Sequence, residues 1–172
     1  MKRKICLLLY YAFAIHLPVS YAKLGGNLSR KIRYMLCKNI FLKCGKDVNI
    51  EKGAKFGKGD KIQIGNNSGI GINSFIPNGS IIGNDVMMGP NCYIHAHNHK
   101  YERKDIPMWH QGYTQWTPVI IEDDVWIGRD VSIMAGRHIY KGSIIAANCV
   151  LTKDFPEYSI VGGNPGKLIK NR

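Results

Sequence analysis

The sequence lacks the features that define several protein classes. Its five cysteines are odd in number and form no CxxC pair, which argues against a disulfide scaffold or a zinc ribbon and favours a reducing compartment. It has no low-complexity tract, and 45% of its residues are hydrophobic, so its composition is not that of a disordered chain. Its 172 residues suffice for one globular domain with a core and are too few for a large multidomain enzyme.

Acidic residues are scarce, and they are scarcest at the N-terminal end. The chain has 24 Lys and Arg against 12 Asp and Glu, a net charge of +12. Residues 1–62 hold fourteen of the basic and three of the acidic residues, whereas residues 63–172 hold ten and nine. The excess charge therefore belongs to an N-terminal appendage. Because its basic residues are interleaved with apolar ones and no nucleic-acid motif is present, we expect no nucleic-acid partner.

The N-terminal segment, residues 1–46, is predicted to form two basic amphipathic helices joined at Gly25 and Gly26. Its basic start and the apolar run that follows resemble a signal peptide, but the run is too short to span a bilayer and is interrupted by His16 and Pro18. Three roles stay open for it: a cap packed on the domain, an anchor on an anionic membrane surface, and a secretion signal.

Aliphatic residues recur every six positions over much of the remaining chain, residues 47–172. They are Ile64, Ile70, Ile76, Ile82, Met88 and Ile94, and, after an interruption, Ile121, Ile127, Ile133, Ile139, Ile145 and Leu151. A flat sheet or a helix would not produce this period, but a triangular solenoid with one hexad on each face does. The predicted fold is an all-β solenoid, a left-handed parallel β-helix of about four coils plus a ragged first one. Asn66, Asn84 and Asn148 are predicted to supply left-handed turns at its corners.

The repeat is interrupted by an excursion loop at residues 97–120. Long loops in compact folds are usually functional, and the aromatic residues of this one predict that it packs on its own coil or on a neighbouring subunit. His95, His97 and His99 stand at its root and alternate along an extended segment, which predicts that they share one face. Spread over ~13 Å, they are too far apart for one metal ion unless the chain bends, so we expect no metal and favour a general base.

Three segments carry a resemblance to a known family. They are IHAHNHKY at residues 94–101, PVIIEDDVWIG at residues 118–128, and VLTKD with GGNPGK at residues 150–154 and 162–167. In this order and spacing they resemble the hexapeptide-repeat acetyltransferases, in the branch of the galactoside, maltose and xenobiotic acetyltransferases and the polysaccharide O-acetyltransferases. The resemblance covers residues 64–172. It is specific for the family and weakly specific for the acceptor.

The resemblance implies a reaction and a catalytic residue. It implies transfer of acetyl from acetyl-CoA to a sugar hydroxyl of a cell-surface polysaccharide or its precursor, in a ternary complex with a histidine general base. His99, within the sequence NHKY, matches the family motif best, and His97 is the alternative. Glu102, Asp105 or a backbone carbonyl would fix the tautomer of the imidazole.

The resemblance also implies that acetyl-CoA lies in a groove between adjacent subunits of a homotrimer. The implied cofactor-binding residues are Trp126 and Gly128 at the reactive end, Ala135 and Ala147 along the pantetheine, Thr152 and Lys153 at the nucleotide end, and Lys167 and Lys170 near the phosphates. Asn73 and Asn78 are candidate acceptor contacts, with ordinary turn residues as the alternative. Arg129 and the pair Arg137 and His138 depart from the family pattern and could reshape the groove.

Alternative functions stay open at this point. The same chemistry would serve a xenobiotic or small-sugar O-acetyltransferase. Two other classes are a metal-dependent hydratase of the carbonic anhydrase type, which the histidine spacing disfavours, and a non-catalytic trimeric scaffold. The expected location is the cytoplasm, with peripheral contact at the inner membrane face through the N-terminal segment as an option. The sequence chooses neither the acceptor hydroxyl nor the acyl chain.

Overall fold

A computed structural model describes residues 1–172 as a three-sided parallel solenoid with two helices at its N-terminal end. The helices are α1 (Lys2–Ala12) and α2 (Gly26–Ile40), and short 3-10 turns occupy Ala14–His16 and Met108–His110. None of these helices has the length and the apolar character needed to cross a bilayer.

Fifteen short strands form the three faces. The first face consists of β1 (Lys43–Cys44), β3 (Gln63–Ile64), β5 (Ile81–Ile82), β8 (Ile120–Ile121) and β11 (His138–Ile139). The second consists of β2 (Asn49–Ile50), β4 (Gly69–Ile70), β6 (Met87–Met88), β9 (Trp126–Ile127), β12 (Ile144–Ile145), β14 (Ser159–Gly162) and the antiparallel β15 (Lys167–Asn171). The third consists of β7 (Tyr93–Ile94), β10 (Ser132–Ile133) and β13 (Val150–Leu151).

Successive coils pair in parallel and in register. On the first face Ile82 pairs with both Ile64 and Ile121, so the excursion loop is looped out without disturbing the stack. Each two-residue strand turns one side chain inward and one outward. The aliphatic residues of the six-residue repeat are the inward ones, and all are buried except Met88, which is half-buried. The repeat therefore builds the core directly.

Asparagine and aspartate side chains turn the chain at the corners. The predicted left-handed backbone is found at Asn148, with φ of 60°, but not at Asn66 and Asn84. There the following residues, Asn67 and Asp85, take the positive φ of 55° and 57°. Asn84 instead uses its side-chain oxygen to accept the backbone N–H of Asn66 in the preceding coil, at 2.8 Å. At these two corners the left-handed residue was predicted one position too early. A corner needs both a left-handed residue and an amide that bridges two coils, and different residues supply them.

The two helices cover the N-terminal end of the solenoid core. Tyr10 of α1 is fully buried and donates a hydrogen bond to the carbonyl of Ala54 at 2.7 Å. Its ring lies 4.6 Å from that of Phe56, an inward residue of the first coil. The part of the chain that resembles a signal peptide therefore packs against the core.

The predicted boundary at residue 46 is too late. Lys43 and Cys44 already form a strand that pairs with Gln63 and Ile64. The amphipathic pattern of α2 continues into this strand because Phe41 is an inward, buried residue of the first coil and falls at helical spacing by coincidence.

A buried ion pair fastens α2 to the first coil. The fully buried side chain of Arg33 places Nη2 3.7 Å from Glu51 Oε2, and its Nη1 donates to the carbonyl of Pro18 at 2.9 Å. Burial raises the pKa of the Glu51 carboxyl, but hydrogen bonds from Ser20 and Asn49 outweigh this and hold the pKa below its usual value. The carboxylate is therefore ionised at neutral pH and balances the buried guanidinium.

Replacing Glu51 by Ala is expected to lower the free energy of unfolding by roughly 3 kcal/mol, because the buried guanidinium of Arg33 loses its counter-charge. Equilibrium urea unfolding followed by circular dichroism measures this. Asp105→Ala is the matched control, since Asp105 pairs with Arg103 and both side chains are exposed; it should leave the unfolding midpoint unchanged. Equal midpoints for the two variants would show that the buried pair does not stabilise the fold.

Candidate functional site

The histidine segment begins on the third face, directly after β7. The Nε2 atom of His95 lies 3.0 Å from the Oγ atom of Ser132 in the next coil, and its imidazole stands edge-on to the ring of Tyr93 at 4.9 Å. Burial lowers the pKa of His95. This histidine is therefore held mostly neutral, with one ring nitrogen engaged by the hydroxyl of Ser132.

His97 and His99 are separated from His95. Both are exposed, and both rings contact Tyr113, at centroid distances of 4.3 and 4.4 Å. His99 and Tyr113 also form an antiparallel bridge, so the segment pairs with the returning part of the excursion loop and not with the next coil. The three imidazoles therefore divide between two surroundings: His95 lies against the next coil, and His97 and His99 lie against the returning part of the loop. No three His, Cys, Asp or Glu side chains converge closely enough to hold a metal ion.

The two carboxylates considered as partners of His99 are engaged elsewhere. Glu102 accepts a hydrogen bond from the backbone N–H of its preceding residue at 3.1 Å, and Asp105 pairs with Arg103. Tyr113 is instead the side chain that packs against His99. Sequence reasoning did not single out Tyr113, because no spacing rule shows where a long loop returns to its root.

The excursion loop is anchored to the preceding coil. Within the loop, the side-chain amide of Gln111 donates to the carbonyls of Arg103 and Ile106 at 2.7 and 3.2 Å, which closes its tip. Near its end, the indole of Trp116 packs directly over Gly79, where an added Cβ would lie 2.6 Å from the ring. Trp116 therefore packs on the loop's own solenoid, whereas Tyr101, Met108 and Trp109 are exposed in the single chain.

Gly79→Ala is expected to displace the loop, because the new methyl group would collide with the indole of Trp116. Trypsin cleavage at Arg103 and Lys104 in the loop measures this, and we expect it to be at least about tenfold faster, since local opening controls such cleavage. Gly112→Ala is the control: Gly112 also has a positive φ, of 76°, but an added Cβ there meets no atom within 4 Å. Equal cleavage rates for the two variants would rule out the indole contact as the anchor.

A column of residues continues from the histidine segment along one corner of the solenoid. The strand register puts Asn78, Ala96, Ala135 and Lys153 at equivalent positions in four successive coils. Neighbouring coils are ~4.8 Å apart, so Ala135 and Lys153 lie one and two coils beyond the root of the loop. Thr152 precedes Lys153 at the same corner. The structure thus brings three of the predicted cofactor-binding residues into line with the histidines.

The two predicted acceptor contacts have the geometry of corner residues. The Oδ1 atom of Asn78 accepts the backbone N–H of Lys61 at 2.9 Å, and its Nδ2 donates to Asp60 at 2.8 Å. Asn73 has a left-handed φ of 55° and lies at the opposite end of the third face. Asn78 therefore stands beside the histidine segment with its amide engaged, and Asn73 stands apart from it.

The remaining predicted cofactor-binding residues gather on the second face. Trp126, Gly128 and Ala147 line a groove of about 500 Å³ together with Pro90 and Arg129. The small residues leave room along the groove, and Trp126 is half exposed at its side. Arg129 also lines the groove, and its Nε atom pairs with the carboxylate of Asp130 at 2.8 Å.

A row of outward side chains leads away from this groove. Trp126 pairs with Ile144, Ile144 with Ile160, and Ile160 with Lys170 of the antiparallel β15, where Lys167 also lies. The backbones of Trp126 and Lys170 are three strand spacings apart, about 14 Å. The row therefore has an apolar beginning and a basic end. It lies on a different side of the solenoid from the histidine column.

Of the three residues that depart from the family pattern, Arg129 lines the groove, whereas Arg137 and His138 form ion pairs away from it. Arg137 pairs with Asp154 at 3.3 Å, and the Nε2 atom of His138 lies 2.7 Å from the carboxylate of Glu122. Both pairs sit at the first face and its corner, outside the groove that Trp126 lines.

The architecture agrees with a family model described as the GLGC left-handed parallel beta-helix domain, which matches residues 49–144, more than half of the chain. The chain belongs to the hexapeptide-repeat, left-handed β-helix family. The predicted fold class and the predicted family are both confirmed.

This hexapeptide-repeat protein has relatives over part of its length. It is 37% identical over 87 residues to a "probable acetyltransferase" of Mycobacterium tuberculosis, which covers 51% of this chain and 29% of that protein. It is 48% identical over 54 residues to a 2,3,4,5-tetrahydropyridine-2,6-dicarboxylate N-acetyltransferase of Staphylococcus aureus, covering 31% and 23% of the two chains. The matches span less than a third of the length of these relatives.

Solved structures resemble the hexapeptide-repeat protein over nearly its whole length. A hexapeptide-repeat acetyltransferase of Vibrio cholerae superposes with a TM-score of 0.78 at 26% identity, covering 99% of this chain and 90% of that one. A galactoside acetyltransferase in complex with coenzyme A gives 0.77 at 26% identity, with 99% and 80% covered. A maltose O-acetyltransferase of Clostridium difficile gives 0.70 at 28% identity, with 99% and 86% covered.

Proposed function

We propose that this protein is an acetyl-CoA-dependent O-acetyltransferase that acts on a sugar hydroxyl. The observation that carries the proposal is the corner column, in which the exposed His97 and His99 stand at the root of the loop and small and basic residues continue from them. Supporting it, the Vibrio cholerae acetyltransferase has been solved with acetyl-CoA at a TM-score of 0.74, and both galactoside and maltose acetyltransferases share the fold.

His99 is the proposed general base, with His97 as the alternative. A hydroxyl is a poor nucleophile until its proton is removed, so His99 takes that proton as the oxygen attacks the thioester carbonyl. A bond forms between this oxygen and the acetyl carbon, the carbon–sulfur bond breaks, and the proton passes from the imidazole to the departing sulfur. Tyr113, packed against both rings, is the proposed positioning residue for His99.

The proposed acetyl-CoA site needs two subunits. The histidine column with Ala135, Thr152 and Lys153 and the row from Trp126 to Lys170 lie on different sides of one solenoid. One thin ligand can touch both groups if the column of one subunit faces the row of the next, as in a cyclic homotrimer. In this arrangement the small residues of the groove fit the pantetheine chain, and Lys167 and Lys170 fit its phosphates.

The proposed acceptor is a cell-surface polysaccharide or its precursor. The N-terminal segment supports this choice over a xenobiotic or a free small sugar, because precursors of such polymers are assembled at a membrane and the segment is basic and amphipathic. We therefore propose a cytoplasmic enzyme that works at the inner membrane face. Asn73 and Asn78 remain candidates for the acceptor site only if the acceptor displaces their corner contacts.

His99→Ala is expected to reduce acetyl-CoA turnover by ~100-fold or more with the fold retained, since a general base contributes 10²–10⁴-fold. Thiol release is measured over a panel of lipid-linked oligosaccharides, simple sugars and streptogramins, and the best acceptor decides the substrate class. His110→Ala is the control, because His110 is an exposed histidine of the same loop whose ring meets that of Trp109 edge-on. Unchanged turnover in both His99→Ala and His97→Ala would show that neither histidine is the general base, whereas a parent protein that neither turns over nor binds acetyl-CoA would support a non-catalytic scaffold.

Ala147→Phe is expected to raise the KM for acetyl-CoA at least about tenfold, because a phenyl ring would fill the groove beside Trp126. The KM for the acceptor and the kcat at saturating acetyl-CoA should change little, as for a loss of uniform binding. Calorimetric titration with coenzyme A measures the dissociation constant directly, without an acceptor. Unchanged affinity would mean that the ligand does not run along the second face.

A further inference from the structure

The helix α1 has two apolar sides, and the solenoid covers only one of them. Cys6 and Tyr10 form the buried side. On the other side Ile5, Leu8 and Leu9 are 50%, 68% and 47% exposed. These three residues, with the exposed Ala12, follow the i, i+3, i+4, i+7 spacing of one helical stripe. We call Ile5, Leu8, Leu9 and Ala12 the outer stripe.

The outer stripe continues into an exposed aromatic residue and is flanked by two basic residues. Phe13, directly after α1, is 55% exposed. Lys2 and Lys4, at the start of α1, are exposed and make no ion pair; Arg3, between them, pairs with Asp60 at 3.0 Å. Hydrophobic side chains on one side of a helix with cations beside them are the composition of helices that lie in a membrane interface.

The charge of the whole N-terminal region also favours an anionic surface. Residues 1–46 contain ten Lys and Arg and no Asp or Glu. Of the ten, Arg3 and Arg33 face carboxylates of the first coil, which leaves eight without an acidic partner. An anionic surface would complement this charge, and each basic residue near an anionic bilayer strengthens binding about fivefold.

A two-fold contact with a second copy of the chain fits the outer stripe less well. A two-fold contact through α1 would bring the stripe of one copy against that of the other, and Lys2 and Lys4 of both copies would meet. Like charges facing one another in a contact oppose association. The same charges favour a surface of anionic phospholipids.

We propose that the outer stripe of α1, with Phe13, Lys2 and Lys4, docks the protein on an anionic phospholipid surface. The stripe lies in the interfacial region of the bilayer, the two lysines contact lipid phosphates, and the buried side of α1 keeps its contacts with the first coil. This inference deepens the proposed location of the enzyme and names the residues and the lipid charge responsible. The role of this binding rests on the proposed function, but the binding itself does not.

The test is sedimentation of the full-length protein with sucrose-loaded vesicles of phosphatidylcholine, with and without about a third phosphatidylglycerol. We expect binding to the anionic vesicles that weakens as salt rises. Leu8→Gln with Phe13→Gln should reduce the partition coefficient about tenfold or more, since two inserted apolar side chains are lost. The double variant Lys2→Gln with Lys4→Gln should reduce the partition coefficient by roughly 25-fold, about fivefold for each lysine.

Leu168→Gln is the matched control for the apolar variants. Leu168 is also about half exposed, at 48%, but it lies in β15 at the opposite end of the solenoid; vesicle binding should not change. Circular dichroism and the unfolding midpoint verify that each variant is folded. Because α1 keeps Tyr10 buried in all of these variants, we expect midpoints close to that of the parent protein.

Two results would overturn the inference. One is failure of the parent protein to bind anionic vesicles, or equal binding by the Leu8 and Phe13 variant. The other is a mass by light scattering that drops in that variant without any vesicle binding, which would assign the stripe to a second copy or another protein. Turnover with a soluble acceptor and no vesicles separates this inference from the proposed function, because either can fail while the other holds.

Discussion

The structure depends on one constraint: every sixth residue must be an aliphatic side chain that fits the narrow interior of a three-sided coil. Two-residue strands are too short to be stable alone, so each is held by its neighbours above and below and by the inward residue beneath it. The corners complete this arrangement, because a left-handed residue turns the chain and an amide such as that of Asn84 joins one coil to the next. The inward positions therefore admit little change of side chain, and sequence variation is confined to the outward residues, the two ends of the solenoid and the excursion loop.

This confinement explains how the candidate site is built. The parallel stack carries the residues of successive coils to the same corner at a fixed spacing, so residues far apart in the sequence, such as Ala96, Ala135 and Lys153, form a straight column. The excursion loop leaves the stack at one corner without altering its register and returns through Trp116, packed on Gly79. A rigid column beside an anchored loop can hold a long ligand and a catalytic side chain at a constant distance.

The ends of the solenoid pose a different physical problem, since an open end would expose the core. At the N-terminal end two helices cover it, and the buried pair of Arg33 and Glu51 fixes their position. A cap made of amphipathic helices has a second side that the core does not use. In this chain that side carries apolar and basic residues, and it is the side that we propose to dock on an anionic phospholipid surface.

The sequence by itself determined the solenoid, its three faces, most of its inward residues and the place of the excursion loop, because a six-residue period has one structural solution and each repeat contacts only its neighbours. Local pattern also indicated the two helices, but it placed their end too late, since Phe41 belongs to the core of the first coil. The tertiary structure alone decided which histidines stay together: His95 remains on the third face with Ser132, while His97 and His99 turn to Tyr113. It also separated the residues expected around acetyl-CoA into a column and a row on different sides. The return path of a long loop and the alignment of distant coils follow from packing in three dimensions, which no spacing along the chain records.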